Sequence, residues 1–290
     1  MIPGAKPRAI LTMLGLHNGS VVSAETLIEL LWGDDPPRTA AKALQTHISS
    51  LRRTLGDGFV LTQGMGWTLA ESEVDASRYK SAARLGRDAA AAGDMSQAVA
   101  RFQEALALWR GIPELPDGRR GTSEKTQWIE GHAALVEDRA DALLATGRAA
   151  EIIGELEAAV AEAPLRERRW GQLMLALYRA GRQGDALGAY QRARSLLADE
   201  LGVDPGSELR RLEAAVVAQD AALDIPVAQN LPSITRTVTF LLTDIEGSTA
   251  AWEADADAMA VALARHDELV EQVVTSRGGR LIKTDRRAHV

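Results

Sequence analysis

The sequence predicts a mainly α-helical protein: short helices that end in a β-hairpin, then an Ala-rich helical repeat, then a short α/β fragment. Three observations predict this order. Apolar residues at helical spacing precede two short β-like runs near the start, a Gly-led helical pattern recurs in the middle, and a β-branched run opens the last part. A stretch with two prolines and no helical period precedes that run and is interpreted as a linker. The predicted boundaries are 1–72, 73–224, the linker 225–235, and 236–290.

Composition excludes several classes of protein. The chain has 290 residues, 46% of them hydrophobic and 25% charged, which is typical of a folded protein with two or three domains. It has no cysteine, so a disulfide scaffold, a thiol nucleophile and a zinc ribbon are excluded. Its five histidines lack metal-ligand spacing. The net charge of -7 excludes a protein that coats nucleic acid with a basic surface all around, but it is compatible with a small, local DNA-binding face.

The sequence shows no targeting or membrane signal. The N-terminus lacks the apolar region of a signal peptide, and no run approaches the roughly 18 apolar residues of a membrane helix. We therefore expect a cytoplasmic protein that does not bind a membrane.

The first part has the element order of a winged helix-turn-helix. Ser23 is the predicted N-cap of the second helix and Thr39 that of the third. Gly and Pro residues separate the elements. The predicted elements are helices over 6–16, 24–32 and 40 to about 55, and a hairpin of 59–62 and 67–69 around the tip 63–66. Three helices followed by a hairpin favour a winged helix.

The third predicted helix has one apolar stripe and one polar face. At about 100° per residue, Leu44, Ile48, Leu51 and Leu55 share the stripe, which we expect to face the core. The opposite face carries cations and short hydrogen-bonding side chains but no acid. Its members are Arg38, Lys42, Gln45, Thr46, Ser49, Arg52 and Arg53.

This polar face has the chemistry of a DNA contact, since Lys and Arg attract phosphate while Gln, Thr and Ser can meet base edges in a major groove. We predict that Arg38 and Arg52 hold phosphates and that the hairpin tip approaches the neighbouring backbone or minor groove. The residues predicted to enter the major groove are Lys42, Gln45, Thr46, Ser49 and Arg53. The alternative is that this face is simply a solvated helix surface. The hairpin that follows the helix favours the DNA-binding interpretation.

A repeat organises the second part. Gly93, Gly147 and Gly181 open segments that align without gaps, and the last two glycines lie 34 residues apart, the tetratricopeptide period. The aligned positions are Phe102, Leu156 and Tyr190, nine residues on, and Ala105, Ala159 and Ala193, twelve residues on. These offsets predict stacked TPR-like helical hairpins that form an interaction scaffold. Arg166, Arg168 and Arg169 form a basic cluster, interpreted as a solvated helix start, with a partner contact as the alternative.

The first two parts together resemble the SARP-type transcriptional regulators, which pair a response-regulator-type winged helix with a bacterial transcriptional activator domain. Residues 22–37, 43–53, 107–111 and 197–206 carry the resemblance. It implies binding to double-stranded promoter DNA, often at repeated sites, and contact with RNA polymerase; a homodimer is a further option. The family's winged helix usually begins with a small antiparallel sheet. Only residues 1–5 precede the first helix, so we expect Ile10 and Leu14 to lack that cover.

The third part resembles the opening of a class III adenylate/guanylate cyclase domain, which has a ferredoxin-like α/β fold. Residues 237–249 and 278–284 carry this resemblance. It implies that Asp244 is a metal ligand and that Lys283 lies near a nucleotide. The family continues with x-Gly-Asp after Lys-Thr, whereas this chain places Arg287 at the second carboxylate. We therefore expect a vestigial, truncated fragment that has no catalytic residues and no cofactor. A divalent metal is expected only for a complete cyclase domain.

Three functions follow from the sequence. The leading hypothesis is a DNA-binding transcriptional regulator that is not an enzyme. The alternatives are a nucleotidyl cyclase signalling protein and a TPR-like interaction scaffold that does not bind DNA.

Overall fold

The computed structural model describes residues 2–70, 74–224 and 247–277. The chain divides into two compact units, 1–229 and 230–290. The first unit contains α1 (Ala5–Leu16), β1 (Val22–Ser23), α2 (Ala24–Trp32), α3 (Ala40–Leu55), β2 (Val60–Gln63), β3 (Gly66–Leu69), α4 (Asp75–Ala91), α5 (Met95–Ala107), α6 (Arg119–Ala145), α7 (Ala149–Glu162), α8 (Glu167–Arg179), α9 (Gln183–Leu201), α10 (Ser207–Ala218) and a 3-10 turn (Ala221–Leu223). The mainly helical architecture is confirmed; the domain boundaries stay predictions.

The first part folds as three helices and a three-stranded antiparallel sheet of order β1-β3-β2. The hairpin of β2 and β3 pairs Val60 with Leu69 and Gln63 with Gly66, as the sequence pattern predicts. Ser23 caps α2, because its side-chain oxygen accepts the backbone N–H of Thr26 at 3.1 Å.

Two details of α3 differ from the prediction. Thr39 occupies the N-cap position, but its side chain makes no capping hydrogen bond. Leu44, Ile48 and Leu51 are at most 1% exposed, whereas Leu55 is 36% exposed. Leu55 is the last residue of the helix, so it lies at the end of the apolar stripe, past the core that covers the other three.

The expectation that the first helix lacks cover is wrong. Ile10 and Leu14 are 0% and 1% exposed. The helical part supplies side chains to the same core, because Leu115, which precedes α6, is a member of it and Trp128 of α6 packs against it. The winged helix and the helical part are therefore joined by a shared apolar core.

Polar contacts surround this junction. Glu29 of α2 accepts hydrogen bonds from Arg119 at 2.5 Å and Arg120 at 3.2 Å, both on α6. His17 lies 3.0 Å from a carboxylate oxygen of Glu124, a residue of α6 that is buried. Because α1 and α2 are both tied to α6, the helix-turn-helix has a fixed position relative to the helical stack.

The helical part contains the predicted hairpins, α4–α5, α6–α7 and α8–α9, and α10 packs on α8 and α9. The aligned glycines precede the second helix of each hairpin and have the same left-handed conformation. Their φ angles are +84° at Gly93, +79° at Gly147 and +76° at Gly181. This conformation costs glycine little, which explains why the sequence repeats it at each turn. Of the aligned apolar positions, Phe102, Leu156, Tyr190, Ala105 and Ala193 are buried and Ala159 is half-buried.

The basic cluster at the start of α8 is paired with acids rather than free in solvent, although Arg168 is exposed. Arg169 is 4% exposed and lies 3.2 Å from Glu137 of α6, which is itself 3% exposed. Arg166 donates to Glu137 at 2.7 Å, and Arg168 donates to Asp138 and Asp141 of α6 at 2.8 and 2.7 Å. The interpretation was wrong because the opposing carboxylates lie on another helix, about 30 residues away in the chain.

An aromatic cluster lies where the two parts meet. Trp109 stacks on Trp128 at 5.4 Å between ring centroids and on His132 at 3.8 Å. Tyr79 lies 4.9 Å from Trp128, and burial raises the pKa of its hydroxyl to about 12. Burial, together with the positive charge of Arg169, lowers the pKa of His132 although Glu162 acts in the opposite direction.

In the second unit the structure describes α11 (Ser248–Ala254) and α12 (Ala256–Ser276). Asp255 caps α12 by accepting the backbone N–H of Ala258 at 3.0 Å. The predicted linker, both predicted strands, Asp244 and Lys283 lie outside the described residues, so the cyclase resemblance stays a prediction.

We expect Leu115→Ala to destabilise the first unit by about 2–5 kcal/mol, because it opens a cavity in the core that the two parts share. Urea unfolding followed by circular dichroism measures the change. Leu201→Ala is the matched control, since Leu201 is 55% exposed. Equal effects of both substitutions would contradict the shared core.

We also expect the first unit to lose stability as the pH falls below about 6.5, because the unfolded chain then protonates His132 at its ordinary pKa while the folded protein still holds the ring neutral. The loss levels off once the pH falls below the lowered pKa of the folded state. His132→Phe should reduce the difference in unfolding free energy between about pH 7.5 and pH 5, measured by tryptophan fluorescence. An unchanged difference would show that His132 does not carry this pH dependence.

Candidate nucleic-acid interface

The structure leaves most of the predicted face of α3 open to solvent. Helix α3 begins after the exposed break at 33–37 and buries its opposite side in the core. The exposed members of the face are Arg38, Lys42, Gln45, Thr46, Ser49 and Arg53. Six of the seven predicted residues therefore share one accessible surface, and an α-helix of this kind fits a major groove.

The hydrogen bonds of this face are local. Thr46 donates its hydroxyl to the backbone oxygen of Lys42 at 3.0 Å, which leaves its oxygen lone pairs available as acceptors. His47 lies at the edge of the face, and burial and the nearby charge of Lys6 lower its pKa. The positive charge of the surface at neutral pH therefore comes from its Arg and Lys side chains.

Arg52 differs from the other six residues. It is half-buried, and its guanidinium donates to the backbone oxygen of Val60 at 2.8 Å and to the hydroxyl of Thr62 at 2.7 Å. These bonds fix Arg52 against β2 and tie the C-terminal half of α3 to the hairpin. No pattern in the sequence indicates this bond, since it depends on how the hairpin folds back onto α3. Phosphate binding by Arg52 stays a prediction.

The hairpin tip is fixed to the start of α2. The backbone oxygen of Met65 accepts the N–H of Ala24 at 3.1 Å. Gly66 pairs with Ser23 of β1, and a Cβ at Gly66 would lie 2.3 Å from the backbone oxygen of Val22. The tip therefore requires glycine at that position and is held beside the helix-turn-helix.

Sequence reasoning missed one feature of the hairpin. Met65 is 90% exposed, the highest value among the large apolar side chains that the structure describes. Residues 58–70 also contain no charged side chain. The position of Met65 between two glycines was visible in the sequence and could have indicated an exposed tip.

The described residues contain no cluster of three or more His, Cys, Asp or Glu side chains that could hold a metal ion. Within the same residues, no helix combines the length and apolar character needed to cross a membrane.

Comparison with known proteins identifies both parts of the first unit. A family model for the bacterial transcriptional activator domain matches residues 74–217, and one described as transcriptional regulatory protein, C terminal, matches residues 3–68. The fold and these matches define a regulator that joins a winged helix to a helical activator domain. The chain belongs to the SARP-type family of transcriptional regulators.

Individual relatives support this assignment. The regulatory protein DnrI of Streptomyces peucetius is 35% identical over 76% of this chain and 86% of its own length. The regulatory protein AfsR of Streptomyces coelicolor is 41% identical over 74% of this chain, which spans only 22% of AfsR. A solved structure of Mycobacterium tuberculosis EmbR in complex with a low affinity phosphopeptide aligns with a TM-score of 0.70 and 35% identity, covering 76% of this chain and 60% of EmbR.

We expect Arg52→Ala to loosen the hairpin, because it removes two charge-assisted hydrogen bonds that each stabilise by about 1.5–3 kcal/mol. Amide hydrogen exchange of residues 60–69 should become faster. Arg53→Ala is the matched control, since Arg53 is the next residue of the helix, carries the same charge and is exposed. Unchanged exchange in Arg52→Ala would show that other contacts hold the hairpin.

Proposed function

We propose that this protein regulates transcription by placing α3 in the major groove of promoter DNA. The exposed polar face of α3 carries the proposal, because it presents three cations and three neutral hydrogen-bonding side chains on a helix whose other side is fixed in the core. The membership of the SARP-type family supports it.

The roles of the side chains follow from their chemistry. Gln45, Thr46 and Ser49 offer donors and acceptors to base edges, and Lys42 and Arg53 can reach guanine or phosphate. Arg38 precedes the helix, where it can hold the flanking phosphate strand. Asp34 and Asp35 are exposed just before Arg38 and repel phosphate, so the cationic contact does not extend toward the chain start beyond Arg38.

The helical part completes the proposal. Its stacked hairpins offer a large surface for contacts with RNA polymerase or with a second copy of the chain, as the family resemblance implies. A second copy would allow binding at two repeated sites, which compensates for the few base contacts that one helix can make.

The proposal is tested by selecting bound sequences from a randomised double-stranded DNA pool with the purified protein at two salt concentrations. An enriched motif is expected. Binding without any enriched motif would contradict sequence-specific recognition by α3, and absence of DNA binding together with a stable protein partner would favour the scaffold alternative.

We expect Arg53→Ala to weaken binding to the selected site by about 1–3 kcal/mol. Where Arg53 contacts phosphate, the slope of the logarithm of the binding constant against the logarithm of the salt concentration should fall in magnitude by about 1. Fluorescence anisotropy over a salt series measures both quantities. Arg84→Ala is the matched control, because it removes the same charge from an exposed position on α4. Equal affinities of the two variants would contradict the placement of α3 in the groove.

A further inference from the structure

A cleft lies between the first helical hairpin, α4–α5, and the helices that follow it. It has a volume of about 380 Å³ and is lined by side chains of α4, α5, α6 and α8. This volume lies at the lower end of the range for small-molecule sites. The floor of the cleft is apolar and consists of Ala90, Met95, Phe102 and Ala142. The volume and the floor together suit one small ligand with an apolar body.

The floor is formed by close packing of α4 against α5. The ring of Phe102 lies so near the backbone of α4 that a Cβ at Gly86 would come within 2.4 Å of its Cε1 atom. Phe102 is 1% exposed, whereas Met95 is half-buried and packs against the same core. Phe102 is therefore held in one place. Met95, which has an unbranched and adaptable side chain, is the part of the floor that a ligand can contact.

The acids at the rim of the cleft are already bonded. Asp138 accepts a hydrogen bond from Nε of Arg87 at 2.8 Å with one oxygen, and from Arg168 at 2.8 Å with the other. Asp141 likewise accepts from Arg168 and from Gln172, each at 2.7 Å. Because two guanidinium groups compensate these two carboxylates, the rim does not favour a cationic ligand.

Donors remain open at the same rim. Within the described residues, Arg87 forms a hydrogen bond only through Nε, so both of its terminal nitrogens are available, and its side chain is 49% exposed. A guanidinium with two free terminal nitrogens can bind a carboxylate through two parallel hydrogen bonds. The cleft therefore places an apolar floor beside a pair of donors that suits a carboxylate.

We propose that this cleft binds a small organic acid with an apolar body. The terminal nitrogens of Arg87 hold the carboxylate, and the apolar body lies on Met95. This inference goes beyond the proposed function and does not rest on it, because the cleft lies in the helical part and its ligand is not DNA.

The test uses the full chain with isotope-labelled methionine methyl groups and phenylbutyrate as the probe. The chain has six methionines, of which Met95 lines the cleft. The methyl signal of Met95, assigned by its loss in Met95→Leu, should shift with added probe and reach saturation. A dissociation constant in about the millimolar range is expected for so small a ligand. The signals of Met13 and Met174, which are 1% and 0% exposed and do not line the cleft, should not shift.

The neutral amide of the same probe tests the role of the charge. Phenylbutyramide should bind the wild type about five- to ten-fold more weakly, because a hydrogen bond to a charged acceptor is about twice as strong as one to a neutral acceptor. Arg87→Gln should remove this preference for the acid. Arg84→Gln is the matched control, since Arg84 lies on the same helix, is exposed and pairs with Asp88, and it does not line the cleft.

A further variant tests the place of binding. Ala145 lines the cleft and is exposed, so Ala145→Leu narrows the cleft without adding volume to the core. It should weaken the binding of acid and amide alike. Unchanged circular dichroism and thermal unfolding show that each variant is folded.

The outcomes that overturn the inference are distinct. It fails if the Met95 signal does not shift at about 10 mM phenylbutyrate. Equal binding of acid and amide by the wild type, or equal effects of Arg87→Gln and Arg84→Gln, would refute carboxylate binding by Arg87. Tighter binding of a tripeptide that ends in phenylalanine would replace the small acid by the end of a protein chain. None of these measurements involves DNA, so the proposed function is tested separately.

Discussion

The winged helix depends on an apolar core that it shares with the helical part. Ile10 and Leu14 of α1 are almost fully buried, and Leu115 and Trp128 from the helical part lie at the same core. Each such side chain stabilises the fold by about 1.5–3 kcal/mol when it leaves water, so the junction contributes substantially to both parts. The bonds of Glu29 to Arg119 and Arg120 then help to fix which faces meet, since each guanidinium must lie within hydrogen-bond distance of one carboxylate oxygen.

This junction connects the helical stack with the candidate interface. Helices α1 and α2 are anchored to α6, and α3 packs on both of them, so the stack has one fixed position relative to the exposed face of α3. Within the stack, the carboxylate of Glu137 is almost fully buried between Arg166 and Arg169, and these charges compensate one another at close range. The acidic protein can therefore present a locally basic helix, because the field at a surface depends on the nearest uncompensated charges.

The sequence predicted the elements well where local chemistry determines them. Ser23 caps α2 through its own side chain, and Gly93, Gly147 and Gly181 adopt the left-handed conformation that a turn between helices requires. The prediction from sequence failed where packing between distant segments determines the contacts. The partners of Arg166 lie on another helix, and Leu115, which belongs to the same core as Ile10, is about a hundred residues away in the chain, so neither could be deduced from neighbouring residues. The exposure of the α3 face was predictable from its helical period, whereas the bond between Arg52 and the hairpin was not.

The candidate interface combines two kinds of surface that respond differently to their surroundings. The α3 face carries Lys42 and Arg53, whose attraction to phosphate weakens as salt rises. The wing, residues 58–70, carries only neutral side chains, which have no charge for salt to screen. Arg52 lies between them and is bonded to the wing, so one residue of the basic helix sets the position of the neutral hairpin. In the proposed binding mode, the charge of the helix raises the association rate, and the bonds of Arg52 to the hairpin keep helix and wing in one geometry.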